Sequence, residues 1–390
     1  MAYNFDKIID RKNTKSYKHD ILPHIFGTSD LLSMWVADMD VATPPFVIEA
    51  LKKRLNHEVL GYTLRTDSFD EAIINWMNKR HGWEVQKEWI KFTPGIVPAI
   101  NMSVIALSNP GDKILIQPPV YHPFFPAVTD HNRELLFNEL KQNEQGTYEI
   151  NYEDLEDQLK EATLFIFCNP HNPVGRVWHL EELRKIGQLC LKHNVTILSD
   201  DIHSDLILPG YKHIPMASVS EEIAQITITY MAPSKTFNLA GMATSFAISK
   251  NEDLINALQN QINILHLGMG NLFGAIALET AYNQGAKWVD ELNQHIAENA
   301  KYVDNFLKEN LPQIKLIKPE ATYLLWLDFR ALGMDDDGLK KFMIEKAKLG
   351  FNNGSMFGSG GAGFQRMNVG CPKANVIQAM NQLKNAIKPS

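Results

Sequence analysis

Tyr230-Met231-Ala232-Pro233-Ser234-Lys235-Thr236-Phe237-Asn238 places one lysine just past an apolar, β-rich run, Ile226-Thr227-Ile228-Thr229-Tyr230. A small hydroxyl residue precedes that lysine and a turn-prone asparagine follows it. A lysine that forms a Schiff base has to be held rigidly and shielded in part from water. The end of a buried strand offers both. A lysine after a strand means little by itself, because most lysines are solvated surface groups. The company this one keeps upstream sets it apart.

Two earlier apolar runs end in polar residues of a suitable kind. Thr163-Leu164-Phe165-Ile166-Phe167 leads into Cys168-Asn169-Pro170-His171-Asn172-Pro173-Val174-Gly175, and Thr196-Ile197-Leu198-Ser199 leads into Asp200-Asp201-Ile202-His203. Each run is short, continuous and bounded by turn signals, as a buried strand of a parallel sheet is. Open α/β sheets bind ligands at the carboxyl ends of their strands. An asparagine, an aspartate and a lysine are therefore expected at one sheet edge. That trio suits pyridoxal 5′-phosphate (PLP): Lys235 for the aldehyde, Asp200 for the ring nitrogen, Asn172 for the ring hydroxyl. Asn169 is the weaker of the two asparagines. Asp201 fits a helix N-cap after a strand and receives no chemical role.

The order Asn-Pro-x-Asn-Pro-x-Gly, Asp-x-x-His, Ser-Lys resembles the fold-type I PLP enzymes, the aspartate aminotransferase superfamily. Finer features resemble its MalY/PatB-type cystathionine β-lyase or C–S lyase branch. They are Trp35-Val36-Ala37-Asp38-Met39-Asp40, Ser199-Asp200-Asp201-Ile202-His203, Ala232-Pro233-Ser234-Lys235-Thr236-Phe237-Asn238 and Arg366-Met367-Asn368-Val369-Gly370-Cys371-Pro372. The likeness runs from about Arg11 to the last helix.

The resemblance implies further residues. Gly95, Ile96 and Val97 precede a helical run, Ala99–Leu107. Glycine permits close backbone approach there, and a helix start supplies N–H donors and a favourable dipole for phosphate. Ser234 is expected to add a hydroxyl. Tyr121 is expected to stack on the pyridine face. His203 stands where many relatives carry a tyrosine near the ring hydroxyl. Tyr62, after Gly61, matches a position from which tyrosine reaches the phosphate of a neighbouring subunit, so a homodimer with shared sites is expected. Arg366 offers the planar fork that grips a substrate α-carboxylate; an interdomain salt bridge is the competing role. Backbone at Val36 and Ala37 is expected to line the same site. One departure stands out: many superfamily aminotransferases carry a phosphate-pairing arginine eight residues after the lysine, and here that position is Ala243.

The rest of the 390-residue chain sets bounds. A net charge of −7 argues against nucleic-acid or anionic-membrane surfaces. Cys168, Cys190 and Cys371 have no C-x-x-C spacing, which excludes a zinc ribbon and fits a reducing cytoplasm. Neither a signal-peptide core nor a membrane-spanning apolar run is evident. Residues 46–285 alternate strand-like and helical runs, as in an α/β, PLP-dependent transferase-like large domain with a mostly parallel mixed sheet. Strands are expected at 113–117, 134–138, 163–167, 196–199, 226–230 and 244–249. Residues 286–390, with an N-terminal arm of 1–45, are expected to form a smaller α+β domain.

Two decoys are set aside. Gly358-Ser359-Gly360-Gly361-Ala362-Gly363 satisfies G-x-G-x-x-G but lacks the strand–helix context of a dinucleotide fold. His171, His179 and His213 lack metal-ligand spacing and fit surface or loop positions. The expected activity is a PLP-dependent C–S β-lyase acting on cystathionine or cysteine S-conjugates. An aminotransferase and a PLP-fold regulatory binding protein are the alternatives.

Overall fold

The structure is a computed structural model that describes residues 3–387; the first two and last three residues of the expected small domain lie outside it. Its main sheet contains β1 (Ile90–Thr93), β2 (Lys113–Ile116), β3 (Glu134–Phe137), β4 (Ala162–Cys168), β5 (Thr196–Asp200), β6 (Thr227–Met231) and β7 (Ser245–Ile248). The spatial order is β1-β7-β6-β5-β4-β2-β3. Strands β3, β2, β4, β5 and β6 run parallel, whereas β7 is antiparallel to both β6 and β1.

The six expected strands are present, with no end shifted by more than one residue. The edge strand β1 was not expected. Its sequence Ile-Lys-Phe-Thr is short and mixed, and it exists because β7 offers a partner over four residues. Apolar continuity made the central strands legible, because every residue from Leu164 to Cys168 and from Thr227 to Met231 is buried.

Helices cover both faces. From the N-terminus they include α1 (Pro45–Leu55), α2 (Asp67–Trp76), α3 (Ile96–Leu107), α4 (Leu180–His193), α5 (Glu252–Ile264), α6 (Leu272–Gln284) and α7 (Ala286–Asn310). Helix α3 starts three residues before the expected run, since Pro98 is tolerated in a first turn. On one sheet face Ile100, Val104, Leu258 and Ile262 pack against Ile116, Leu198 and Ile228. On the other, Leu183, Ile186 and Cys190 of α4 pack against Phe165, Phe167 and Ile197. These layers fix the strand ends in space.

A second sheet holds β8 (Lys315–Leu316), β9 (Leu324–Asp328), β10 (Asn352–Asn353) and β11 (Phe364–Asn368), all antiparallel, in the order β8-β9-β11-β10. Helices α8 (Asp336–Glu345) and α9 (Lys373–Ile387) accompany it. Leu32-Ser33 pairs in parallel with Leu349-Gly350, so the N-terminal segment joins this part. The glycine-rich stretch runs from a short 3-10 turn into β11, not from a strand into a helix. No described helix is long and apolar enough to cross a membrane.

Candidate active site

The carboxyl ends of β4, β5 and β6 open into a cavity of about 220 Å³. Topology puts it there: the chain leaves β2 for β3 on one side, then returns through β4 to build β5 and β6 on the other. Lining residues include Asn172, Asp200, His203, Ser234, Lys235 and Tyr121. Ala37, Gly95, Ile96 and Val97 close the opposite side.

Lys235 sits in a four-residue helical turn, Pro233–Thr236, directly after β6. Its Nζ donates to the carbonyl oxygen of Ala37 at 2.7 Å. Burial and the positive charge of Arg366 bring its pKa down to about 8, against the pull of Asp38 and Asp200. The amine therefore gives up its proton near pH 8, much closer to physiological pH than an ordinary lysine does.

Asp200 ends β5, in register with Cys168 and Tyr230 on the flanking strands. Burial is the main cause that raises its pKa to about 7. The neighbouring Asp201 adds to that rise, while the Ile202 N–H and Lys235 oppose it. The Ile202 N–H, at 3.2 Å, is the hydrogen-bond donor it has among the described residues. A buried acid with so few donors suits a cationic N–H partner in the cavity.

Asn172 lies in the loop after β4, and its Oδ1 accepts from Arg366 Nη1 at 3.0 Å. Asn169 is turned elsewhere, with its Nδ2 on the carbonyl oxygen of Ile214 at 3.0 Å. His203 is buried and held neutral, its pKa pushed well down by burial, Lys235 and Arg366. Tyr121 is half-buried, and its phenol is pushed up to about 12 by burial and by Asp200.

Gly95 has φ 146, in the region where side chains are strained, and a Cβ there would stand 3.3 Å from Pro98 Cδ. It delivers the chain into α3, whose first N–H groups have no partner within the helix. Among the cavity-lining residues Lys235 is the sole cation. Ala243, with φ 45, and Thr244 occupy the part of the wall where the arginine would stand.

Arg366 lies inside β11 and is buried. Its Nη2 donates to Asn352 Oδ1 at 2.7 Å and to the Trp35 carbonyl at 3.2 Å. No carboxylate pairs with it among the described residues, so the interdomain salt bridge is not formed. Burial lowers its pKa to about 10. Ala37 faces the cavity, whereas the Val36 carbonyl is taken by Asn368 Nδ2 at 2.6 Å.

Tyr62 is not part of this cavity; it is 96 % exposed in its own chain. Asp201 caps no helix. A turn follows β5, and the carboxyl is buried, accepting from Ser199 Oγ and meeting His213 Nε2 at 2.9 Å. His213 and His171 are buried rather than on the surface, His171 Nε2 lying 3.0 Å from the Pro119 carbonyl; His179 is exposed. Sequence reasoning also missed Cys168 and Tyr323. Cys168 lines the cavity, and the Tyr323 hydroxyl donates to the Ala37 carbonyl at 2.8 Å. Nothing in their spacing marked them, since each reads as an ordinary strand-end residue.

The donor set fits PLP. A lysine of lowered pKa would serve the aldehyde, a buried acid the ring nitrogen, and an aromatic ring the pyridine face. A helix start reached through a glycine, with Ser234 beside it, would serve the phosphate.

Comparison with known proteins agrees. The pattern of the family described as aminotransferase class I and II matches residues 29–383. Cystathionine β-lyase PatB of Bacillus subtilis (strain 168) is 45 % identical over 98 % of this chain and 100 % of its own. The crystal structure of cystalysin from Treponema denticola, which contains PLP, is 40 % identical with a TM-score of 0.96, covering 99 % of both chains. The PLP-bound C–S lyase from Staphylococcus hominis is 34 % identical with a TM-score of 0.93, over 100 % of this chain and 99 % of that one. With the cavity, its lysine and its acid at the strand ends, the chain belongs to the aminotransferase class I and II family, in the branch of PLP-dependent cystathionine β-lyases and C–S lyases.

Proposed function

We propose that this protein is a PLP-dependent C–S β-lyase, which cleaves cystathionine or other cysteine S-conjugates to a thiol, pyruvate and ammonia. The observation that carries the chemistry is the Lys235 amine, its pKa lowered to about 8, in one cavity with the buried acid Asp200. Full-length likeness to PatB supports lyase over transferase.

PLP, when bound, supplies an electron sink for the pair left behind when a proton leaves the substrate Cα. The residues of this chain do the rest. Arg366 receives the substrate carboxylate in its fork and so fixes the direction of the Cα–H bond. Lys235 takes that proton as general base, its lowered pKa suiting it to neutral solution. Asp200 would hold the ring nitrogen and favour its protonated form. Asn172 would hold the ring hydroxyl through its amide nitrogen, its oxygen being taken by Arg366. Loss of the β-thiolate leaves an unsaturated amino acid, which hydrolyses to pyruvate and ammonia.

The phosphate would be met by Ser234, the start of α3 and the partner chain's copy of the exposed tyrosine. A homodimer fits the outer face: Val59, Leu60, Tyr62 and Leu64 are 66, 58, 96 and 82 % exposed in one stretch. We retain two domains, residues 46–285 and residues 1–45 with 286–390. A reducing cytoplasm fits three buried, unpaired cysteines.

The test is a substrate panel with holoenzyme and Lys235→Ala. Pyruvate and ammonia released with homocysteine from cystathionine support the lyase. A keto acid accompanied by pyridoxamine phosphate would mean aminotransferase. Binding of PLP with no turnover of any amino acid would leave only a regulatory role.

A further inference from the structure

Asp205 is a buried carboxylate that the reaction above does not use. Three donors converge on it: Trp76 Nε1 at 3.0 Å, His81 Nε2 at 3.0 Å and Thr236 Oγ1 at 2.9 Å. Its own backbone carbonyl accepts from Asn293 Nδ2 of α7 at 2.8 Å. The group is thus tied at once to the end of α2, to the turn after it and to α7. His81, Arg80 and the Thr236 hydroxyl hold it below the usual carboxylate range in spite of its burial, so it is ionised.

Thr236 is the residue after Lys235 and ends the same four-residue turn. A turn of that length does not hold itself, because a single hydrogen bond cannot offset the ordering of its backbone. Its Lys235 side chain reaches into the cavity, and its Thr236 side chain, 1 % exposed, reaches back to Asp205. A hydrogen bond to an ionised acceptor is short, directional and strong. Asp205 is not among the charges that shift the Lys235 amine, which are Arg366, Asp38 and Asp200. Its influence on that lysine is therefore one of position.

We propose that Asp205 is a positioning residue for Lys235: through the Thr236 hydroxyl it anchors the lysine-bearing turn to α2 and α7, and so sets where the amine stands relative to the substrate Cα–H bond. This rests on Lys235 acting as the base. Proton transfer is steep in geometry, so slack in the turn lowers the rate of proton removal and leaves carboxylate binding at Arg366 untouched.

The experiment follows exchange of the L-alanine Cα proton for deuterium by NMR, with holoenzyme in D2O. It needs no leaving group, so it does not depend on lyase or transferase outcome. Wild type and Lys235→Ala establish the base: if wild type does not exchange, or Lys235→Ala exchanges equally fast, the assignment of Lys235 falls. Given a working base, Thr236→Val, which loses only the hydroxyl, is expected to exchange at least tenfold slower at saturating alanine. Thr236→Ser, which keeps the hydroxyl, is expected within twofold of wild type, with half-saturation unchanged in both. If Thr236→Val does not fold, Asp205→Asn is measured against the same thresholds. Equal rates for Thr236→Val and Thr236→Ser, or a change in half-saturation without a change in rate, overturn the proposal.

Discussion

Nη1 of Arg366 donates to Oδ1 of Asn172 at 3.0 Å across 194 residues of sequence. One residue belongs to the small sheet and the other to the loop after β4, so this bond ties the proposed carboxylate anchor to a residue that lines the cavity. Arg366→Lys keeps the charge but loses the fork. A hydrogen bond to a charged group contributes about 1.5–3 kcal/mol, so KM for cystathionine should rise roughly 10- to 100-fold. Steady-state kinetics checks this; a KM within threefold of wild type would remove Arg366 from the substrate site.

The Lys235 amine has a pKa of about 8, lowered first by burial and then by Arg366. A base acts when deprotonated, so the rate of Cα proton removal should climb with pH, reach half its maximum near pH 8 and level off above it. Arg366→Gln removes the positive neighbour and should shift that climb to higher pH. A pH–rate profile for deuterium exchange at saturating alanine reads it directly. A shift toward acid would contradict the electrostatic account.

Asp200 has a folded-state pKa raised to about 7 from an ordinary value of 3.8. A raised pKa contributes stability below the unfolded value that is lost as pH rises through the folded one. Protein freed of PLP should therefore lose stability between about pH 4 and pH 7, by on the order of 4 kcal/mol at most from this group. Asp200→Asn should lack that part of the loss. Urea unfolding at pH 5 and pH 7.5 tests it, and equal pH slopes for the two proteins would defeat the claim.

Lys18, fully buried, donates to Asp40 Oδ2 at 2.7 Å, while Arg11 and His19 reach Asp40 Oδ1 at 2.7 and 3.0 Å. Attraction to Lys18 and bonds from His19 and Lys18 outweigh burial and hold the carboxyl far below its usual range. Lys18→Met strips one cation and leaves a buried charge underpaired, at a cost of roughly 2–4 kcal/mol. Because the pKa is depressed, the Asp40 contribution is present above about pH 4 and falls away in acid. Denaturation at pH 7 and pH 3 should show a larger deficit for the variant at pH 7.

Tyr62 stands outside its own cavity and 96 % exposed. If it serves a neighbouring subunit, Tyr62→Phe should loosen PLP by roughly 10- to 100-fold, one hydrogen bond to a charged group being worth about 1.5–3 kcal/mol. Equilibrium dialysis measures the affinity and sedimentation the assembly. Unchanged affinity in a protein that sediments as a monomer would dispose of shared sites.

Lys235, Asp200 and Asn172 were legible because each follows an apolar run, and a parallel sheet brings its strand ends to one edge whatever lies between them. Edge strand β1 was not, since its four residues carry little apolar signal and depend on β7 for existence. Asp201 was misread, and the burial of His213 in its loop was not foreseen, for a related reason. A buried acid and a buried histidine look like surface groups until their partner is known, and these two partners stand twelve positions apart.

Composition, apolar periodicity and ordered motifs were enough to specify an α/β sheet, its central strands and three polar residues that meet in one cavity. Folding decided what periodicity cannot encode: which side chain meets which across long stretches of chain. The Ala37 carbonyl on Lys235, the Trp35 carbonyl on Arg366, and Asp205 behind Thr236 are contacts between segments with no local relation. Hydrogen bonds act over about 3 Å, and only the packed layers bring such groups that close.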